Sequence, residues 1–133
     1  MAIDAISKFM GLRWDDVRTT RLEIGPEHIN AAGFLAGVAT YAMIDYTMGS
    51  ALWKETTEEE AIATLNIAIN YVQTAREGEL TCTADVDRRT RSNAVLRSEV
   101  RHADGTLIAT AVGSYVIYRA RDGRRRGYPP DQE

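Results

Sequence analysis

The chain is poor in the residues that build metal and redox centres. A single cysteine, Cys82, excludes an internal disulfide and any CxxC motif, and two distant histidines, His28 and His102, leave no histidine-rich metal site. No sign of charge dominates. A net charge of −3 gives no concentrated basic face for nucleic acid. The start, Met1-Ala2-Ile3-Asp4-Ala5, has no basic segment before an apolar core, so no signal peptide is read and a reducing, cytoplasmic address is expected. Apolar residues make up 44% and charged residues 26%, as in a soluble globular domain.

One stretch approaches the length of a membrane span. From Phe34 to Trp53, Asp45 is the only charged residue. Gly37, Thr40, Thr47, Gly49 and Ser50 interrupt the segment, and the rest of the chain alternates polar and apolar residues. A helix apolar on nearly all sides is what a sheet wrapped around it requires. No membrane is expected.

The pattern elsewhere gives the order of elements. A short amphipathic helix is predicted over Ala2–Met10 and ended by Gly11, and a strand over Trp14–Ile24, broken by Gly25-Pro26. After the long helix the period becomes two. Four strands follow, over Leu65–Tyr71, Leu80–Asp87, Ala94–His102 and Leu107–Tyr118, with turns at Glu77-Gly78 and Asp104-Gly105. Antiparallel strands running after a helix argue an α+β domain over residues 1–120. Residues 121–133, with Arg124-Arg125-Arg126 and Pro129-Pro130, read as a polar, flexible tail.

Chemistry concentrates on the long helix. Asp45, between Ile44 and Tyr46, must lose hydration there. It is either a core carboxylate satisfied by Tyr41, Tyr46 or a strand, or a working group. Gly33 and Gly37 near the helix start let a backbone or a ligand approach, and free N–H groups there favour developing negative charge. Close packing of helix on sheet is the alternative.

These residues carry a resemblance. His28-Ile29-Asn30-Ala31-Ala32-Gly33-Phe34-Leu35-Ala36-Gly37-Val38, running on to Asp45, resembles the signature of hotdog-fold acyl-CoA thioesterases, nearest the phenylacetate-degradation branch. That family has asparagine, glycine, His-Gly-Gly and an acidic residue eight positions after the first glycine of the pair. Asn30, Gly33, Gly37 and Asp45 fall at those spacings, and the similarity extends through Thr64–Tyr71, Glu77–Leu80 and Asp104–Ala111, over roughly residues 12 to 119. The family histidine and second glycine are replaced by Ala36 and Val38.

The resemblance implies a hotdog fold, a sheet of about five or six strands around a central helix. It also implies roles. The Gly37 N–H polarises the thioester carbonyl, Asn30 orients substrate or water, Asp45 acts as base or nucleophile, and Thr64 assists it. Gly33 and Ala36 fall beside the substrate. The substrate is an acyl-CoA, with coenzyme A as part of the substrate and neither cofactor nor metal required. Gly37 and Asp45 stand about 12 Å apart along one helix, too far for one carbonyl, so a two-fold dimer must pair Gly37 of one chain with Asp45 of the other. Pairing of edge strands favours a homodimer and two such dimers a homotetramer.

Weaker features complete the reading. Arg88, Arg89 and Arg91 crowd one strand end and could hold coenzyme A phosphates, against the alternative of ion pairs with Asp85 and Asp87. His28 could reach the site or be a solvated loop residue. Hydratases of this fold need a histidine paired with an acid, which is missing. A non-catalytic acyl-thioester-binding or scaffold protein is the alternative to hydrolysis.

Overall fold

The computed structural model describes residues 3–120, so the polar tail lies outside the described residues. Among the described residues two α-helices and six strands form an α+β fold. α1 covers Ala5–Met10, β1 Arg13–Asp16, β2 Thr19–Glu23, α2 Gly37–Trp53, β3 Glu60–Tyr71, β4 Glu79–Arg89, β5 Asn93–His102 and β6 Leu107–Arg119, with a 3-10 turn at Pro26–His28. The strands form one antiparallel sheet in the order β1-β2-β4-β5-β6-β3.

α2 lies across the inner face. Met43, Ile44, Met48 and Leu52 are fully buried against Leu80 and Cys82 of β4, Leu96 and Val100 of β5, and Ala109 and Tyr115 of β6. Small residues let the helix come close. A Cβ on Gly113 would stand 2.8 Å from the Met48 sulfur, so a side chain there would force Met48 to shift. The hydroxyls that interrupt α2 fasten it to the first hairpin. Thr47 donates to the Met43 carbonyl at 2.6 Å and therefore accepts from Thr20 at 2.7 Å. The Trp14 indole N–H donates to Ser50 at 3.0 Å, and Ser50 donates to the Val17 carbonyl at 2.6 Å. These bonds explain how the Thr47 and Ser50 hydroxyls are buried with their hydrogen-bonding needs met.

Three boundaries differ from the sequence expectation. The single strand expected over Trp14–Ile24 is a hairpin of β1 and β2, turned where Asp16 Oδ1 accepts the Arg18 N–H at 2.8 Å. A side-chain-closed turn needs no glycine and leaves no glycine signal. α1 begins at Ala5 rather than Ala2 because Asp4 and Ser7 form a capping box. β3 starts at Glu60, earlier than expected, and bulges between Thr64 and Asn66. Among the described residues β3 is an edge strand, bonded only to β6, and it is exposed over most of its twelve residues.

Candidate active site

The loop before α2 is built on Asn30. Its carboxamide oxygen accepts from Ala32 N at 2.9 Å and Phe34 N at 3.2 Å, while its backbone N–H donates to the Phe34 carbonyl at 2.8 Å. The tip of this turn is Gly33, at φ +87°, a left-handed conformation that glycine adopts without strain. Asn30 thus has its oxygen committed to the loop and its amide N–H₂ left for other work. The Ala36 N–H donates to the His28 carbonyl at 2.8 Å, which fixes where α2 begins.

Ala36 is the N-cap of α2 and supplies no side-chain cap. Gly37 is the first helical residue. Among the described residues neither the Gly37 nor the Val38 N–H has an acceptor. Two free donors therefore sit at the positive end of a seventeen-residue helix. The Tyr71 hydroxyl donates to the Gly37 carbonyl at 2.9 Å. Its ring lies so close that a Cβ on Gly37 would meet Tyr71 Cζ and Oη at 3.3 Å. Burial and the charge of Tyr41 hold the Tyr71 hydroxyl above its usual pKa, so it stays a donor. Beside Gly37 a cleft of about 390 Å³ opens between Leu35, Thr40, Tyr71, Val72 and Ile108.

Asp45 lies two turns along the same helix. The sequence places it deep in an apolar helix; in the fold it is only half-buried, on the margin of α2 beside the edge strand. Thr64 Oγ1 donates to Asp45 Oδ1 at 2.8 Å, and Tyr115 Oη donates to the same oxygen at 2.7 Å. No donor among the described residues reaches Oδ2. Tyr115 is the residue that sequence reading overlooks. It alternates with core residues of β6, and only the rule that a buried tyrosine hydroxyl seeks a partner marks it.

The remaining candidates lie elsewhere. His28 is not a solvated loop residue: it is 1% exposed, accepts from Gly25 N at Nδ1 (2.9 Å) and reaches the Met10 carbonyl through Nε2 at 2.8 Å. Its ring ties α1 to the 3-10 turn and cannot face a substrate. Arg89 pairs with Glu60 at 2.6 Å and donates to the Glu55 carbonyl. Arg88 and Arg91 are exposed, and among the described residues no carboxylate pairs with either. Asp85 and Asp87 pair instead with Arg18 and Arg97. Arg89 and Arg91 stand at the Glu60 end of β3, and Arg88 is level with Asn66 across β5 and β6. Gly37 stands at the Tyr71 end, and β3 spans roughly 35 Å from Glu60 to Tyr71. Among the described residues no group of three or more His, Cys, Asp or Glu could hold a metal ion. No helix of these residues is long and apolar enough to cross a membrane.

The profile of the thioesterase superfamily matches residues 32–109, more than half of the chain, from the turn after Asn30 to the start of β6. The chain belongs to the thioesterase superfamily. Solved structures agree on the hotdog fold. A Bacillus halodurans protein crystallised with CoA is 21% identical at a TM-score of 0.80, over 85% of this chain and 75% of its own. A conserved Pseudomonas aeruginosa protein is 29% identical at 0.78, over 87% and 95%. A phenylacetic-acid-degradation-related protein from Ralstonia eutropha is 22% identical at 0.78, over 87% and 92%. No curated protein sequence gives a significant match. Among the described residues, the geometry offers two things a thioester hydrolysis needs, a pair of N–H donors and a carboxylate oxygen that no other described residue engages.

Proposed function

We propose that the protein is a cytoplasmic acyl-CoA thioesterase of the phenylacetate-degradation type, active as a homodimer and assembled as a homotetramer of two dimers. The observation that carries the reading is the pairing of an unencumbered Asp45 Oδ2 with free N–H groups at Gly37 on a helix that holds them too far apart to share one carbonyl. The exposed edge of β3 supplies the remedy. Thr64 marks the position of Asp45 and Tyr71 that of Gly37. Antiparallel pairing of two β3 strands about a two-fold at Ala68, with Leu65 taken up by the bulge, sets Thr64 of one protomer opposite Tyr71 of the other, both on the helix-facing side. Asp45 of one protomer then faces Gly37 of its partner.

The same operation brings the Glu60 end of β3 beside the partner's α2 start. Arg88 and Arg91, remote from Gly37 in their own chain, then flank the composite site and suit the phosphates of coenzyme A. Arg89 keeps its ion pair with Glu60 and braces that end. Asn30 offers its amide to the substrate or the water, and Gly33 and Ala36 form the backbone wall beside it. The Bacillus halodurans neighbour holds CoA, which supports a CoA thioester as substrate.

The chemistry follows from the two groups. Asp45 Oδ2 takes a proton from a water whose oxygen attacks the thioester carbon. Negative charge gathers on the carbonyl oxygen, where the Gly37 N–H and the helix dipole meet it. The C–S bond then breaks, coenzyme A leaves as a thiolate that takes up a proton, and the free acid remains. No cofactor enters beyond the coenzyme A carried by the substrate. Incubation with a panel of acyl-CoAs and a thiol reagent tests the reading: wild type releases thiol and Asp45→Asn does not. Tight binding of acyl-CoA without release by wild type would support the non-catalytic alternative, which the missing histidine at Ala36 motivates.

A further inference from the structure

The structure assigns to Tyr115 the role of a positioning residue that, with Thr64, clamps one oxygen of Asp45 so that only Oδ2 faces the reacting centre. The inference rests on the reading of Asp45 as the working carboxylate. Thr64 and Tyr115 are direct cross-strand partners on β3 and β6, so both side chains point to the helix-facing side of the sheet. Their hydroxyls converge on Asp45 Oδ1 at 2.8 and 2.7 Å. Tyr115 also lies 3.1 Å from the Asp45 carbonyl oxygen, so its hydroxyl reaches both the main chain and the side chain of one helical residue.

The two donors differ in stiffness. Thr64 is exposed and sits next to the bulge of an edge strand, whereas Tyr115 is 2% exposed on a strand paired on both sides. A rigid ring in a packed core fixes its hydroxyl far better than a threonine on the rim. Tyr115 therefore sets the carboxylate plane and Thr64 reinforces it. No arginine or lysine among the described residues pairs with Asp45. The ionisable side chains about it are Tyr115 from β6 and Tyr46 from α2, the latter raised in pKa by burial and by the charges of Asp4 and Asp45.

The experiment compares full-length wild type, Tyr115→Phe, Thr64→Val and Asp45→Asn. Phenylalanine keeps the ring and removes only the hydroxyl. A lost hydrogen bond to a charged group corresponds to about a ten- to hundredfold fall in kcat. That fall is expected for Tyr115→Phe with KM within about twofold, since the substrate does not touch the ring. Thr64→Val is expected to lose less. Side-chain scalar couplings at Asp45 Cβ provide a readout without turnover: one rotamer in wild type, averaging in Tyr115→Phe. Unchanged kcat with Asp45→Asn inactive, a loss confined to KM, or unaltered couplings would each overturn the assignment. If wild type turns over no thioester yet the couplings average in Tyr115→Phe, the clamp stands and the proposed activity falls.

Discussion

Replacing Gly37 by valine tests the carbonyl-polarising role with a steric magnitude that can be worked out. A Cβ at this position meets Tyr71 Cζ and Oη at 3.3 Å and Cε1 at 3.5 Å. Tyr71 is 55% exposed, so a methyl group alone is accommodated by a shift of the ring. Valine adds two γ-carbons, each reaching about 1.5 Å further, and these displace the ring and break its 2.9 Å bond to the Gly37 carbonyl. Loss of one exposed hydrogen bond is worth about 1 kcal/mol, or some 4 °C in Tm for a domain of this size. The catalytic effect is larger. Valine keeps the N–H, but its γ-carbons crowd the acyl carbonyl out of reach of it, and forfeiting one donor to a developing oxyanion lowers turnover by about a hundred- to a thousandfold. Thermal melts and thiol release from the best acyl-CoA, measured well below Tm, separate the two. Gly37→Ala should fall between valine and wild type. Equal turnover by Gly37→Val and wild type would refute the role of the Gly37 N–H.

Four further outcomes are expected. Ala36→His restores the family residue at the N-cap of α2 and should raise or preserve activity, measured as kcat/KM on the same substrate. His28→Ala strands the Gly25 N–H and the Met10 carbonyl in a buried site and should cost about 2–4 kcal/mol in urea unfolding. Cys82 is fully buried, its thiol pushed up to about 11 by desolvation, so it should stay unlabelled by thiol reagents at pH 8 until the protein is unfolded. Hydrogen bonds from Arg13 and Arg21 hold the Glu79 carboxyl below its ordinary range. Its contribution to stability is therefore full above that range and lost as pH falls through the lowered folded value. Tm against pH should show a weaker acid limb in Glu79→Gln and in high salt.

Features punctuated by glycine were legible in the sequence. Gly11, Gly78 and Gly105 all adopt positive φ, and they end α1 and mark two of the turns read from residue type alone. The long helix was equally plain from its long apolar run, and the strands after it from their period of two. What the sequence hid was closure by side chains and by distant partners. The β1–β2 turn is closed by Asp16 rather than glycine. His28 looks like a loop residue until α1 delivers the Met10 carbonyl to it from eighteen residues away. Tyr115 meets Asp45 across seventy residues, a juxtaposition set by the order of strands and by no local pattern. Gly37 was expected to admit a ligand or a backbone, and the ring of Tyr71 is what presses on it.

The composite site is tested most directly by mixing subunits. Gly37→Val and Asp45→Asn homodimers each lack one half of every site and are expected to be nearly inactive. Dissociation and reassociation of an equal mixture gives one half heterodimers, each with one site carrying both lesions and one site intact. Thiol release from acyl-CoA should then recover to about a quarter of the wild-type rate. A mixture that stays at the mean of its two inactive parents, with subunit exchange confirmed by mass-tagged chains, would contradict a site shared between Gly37 of one protomer and Asp45 of its partner.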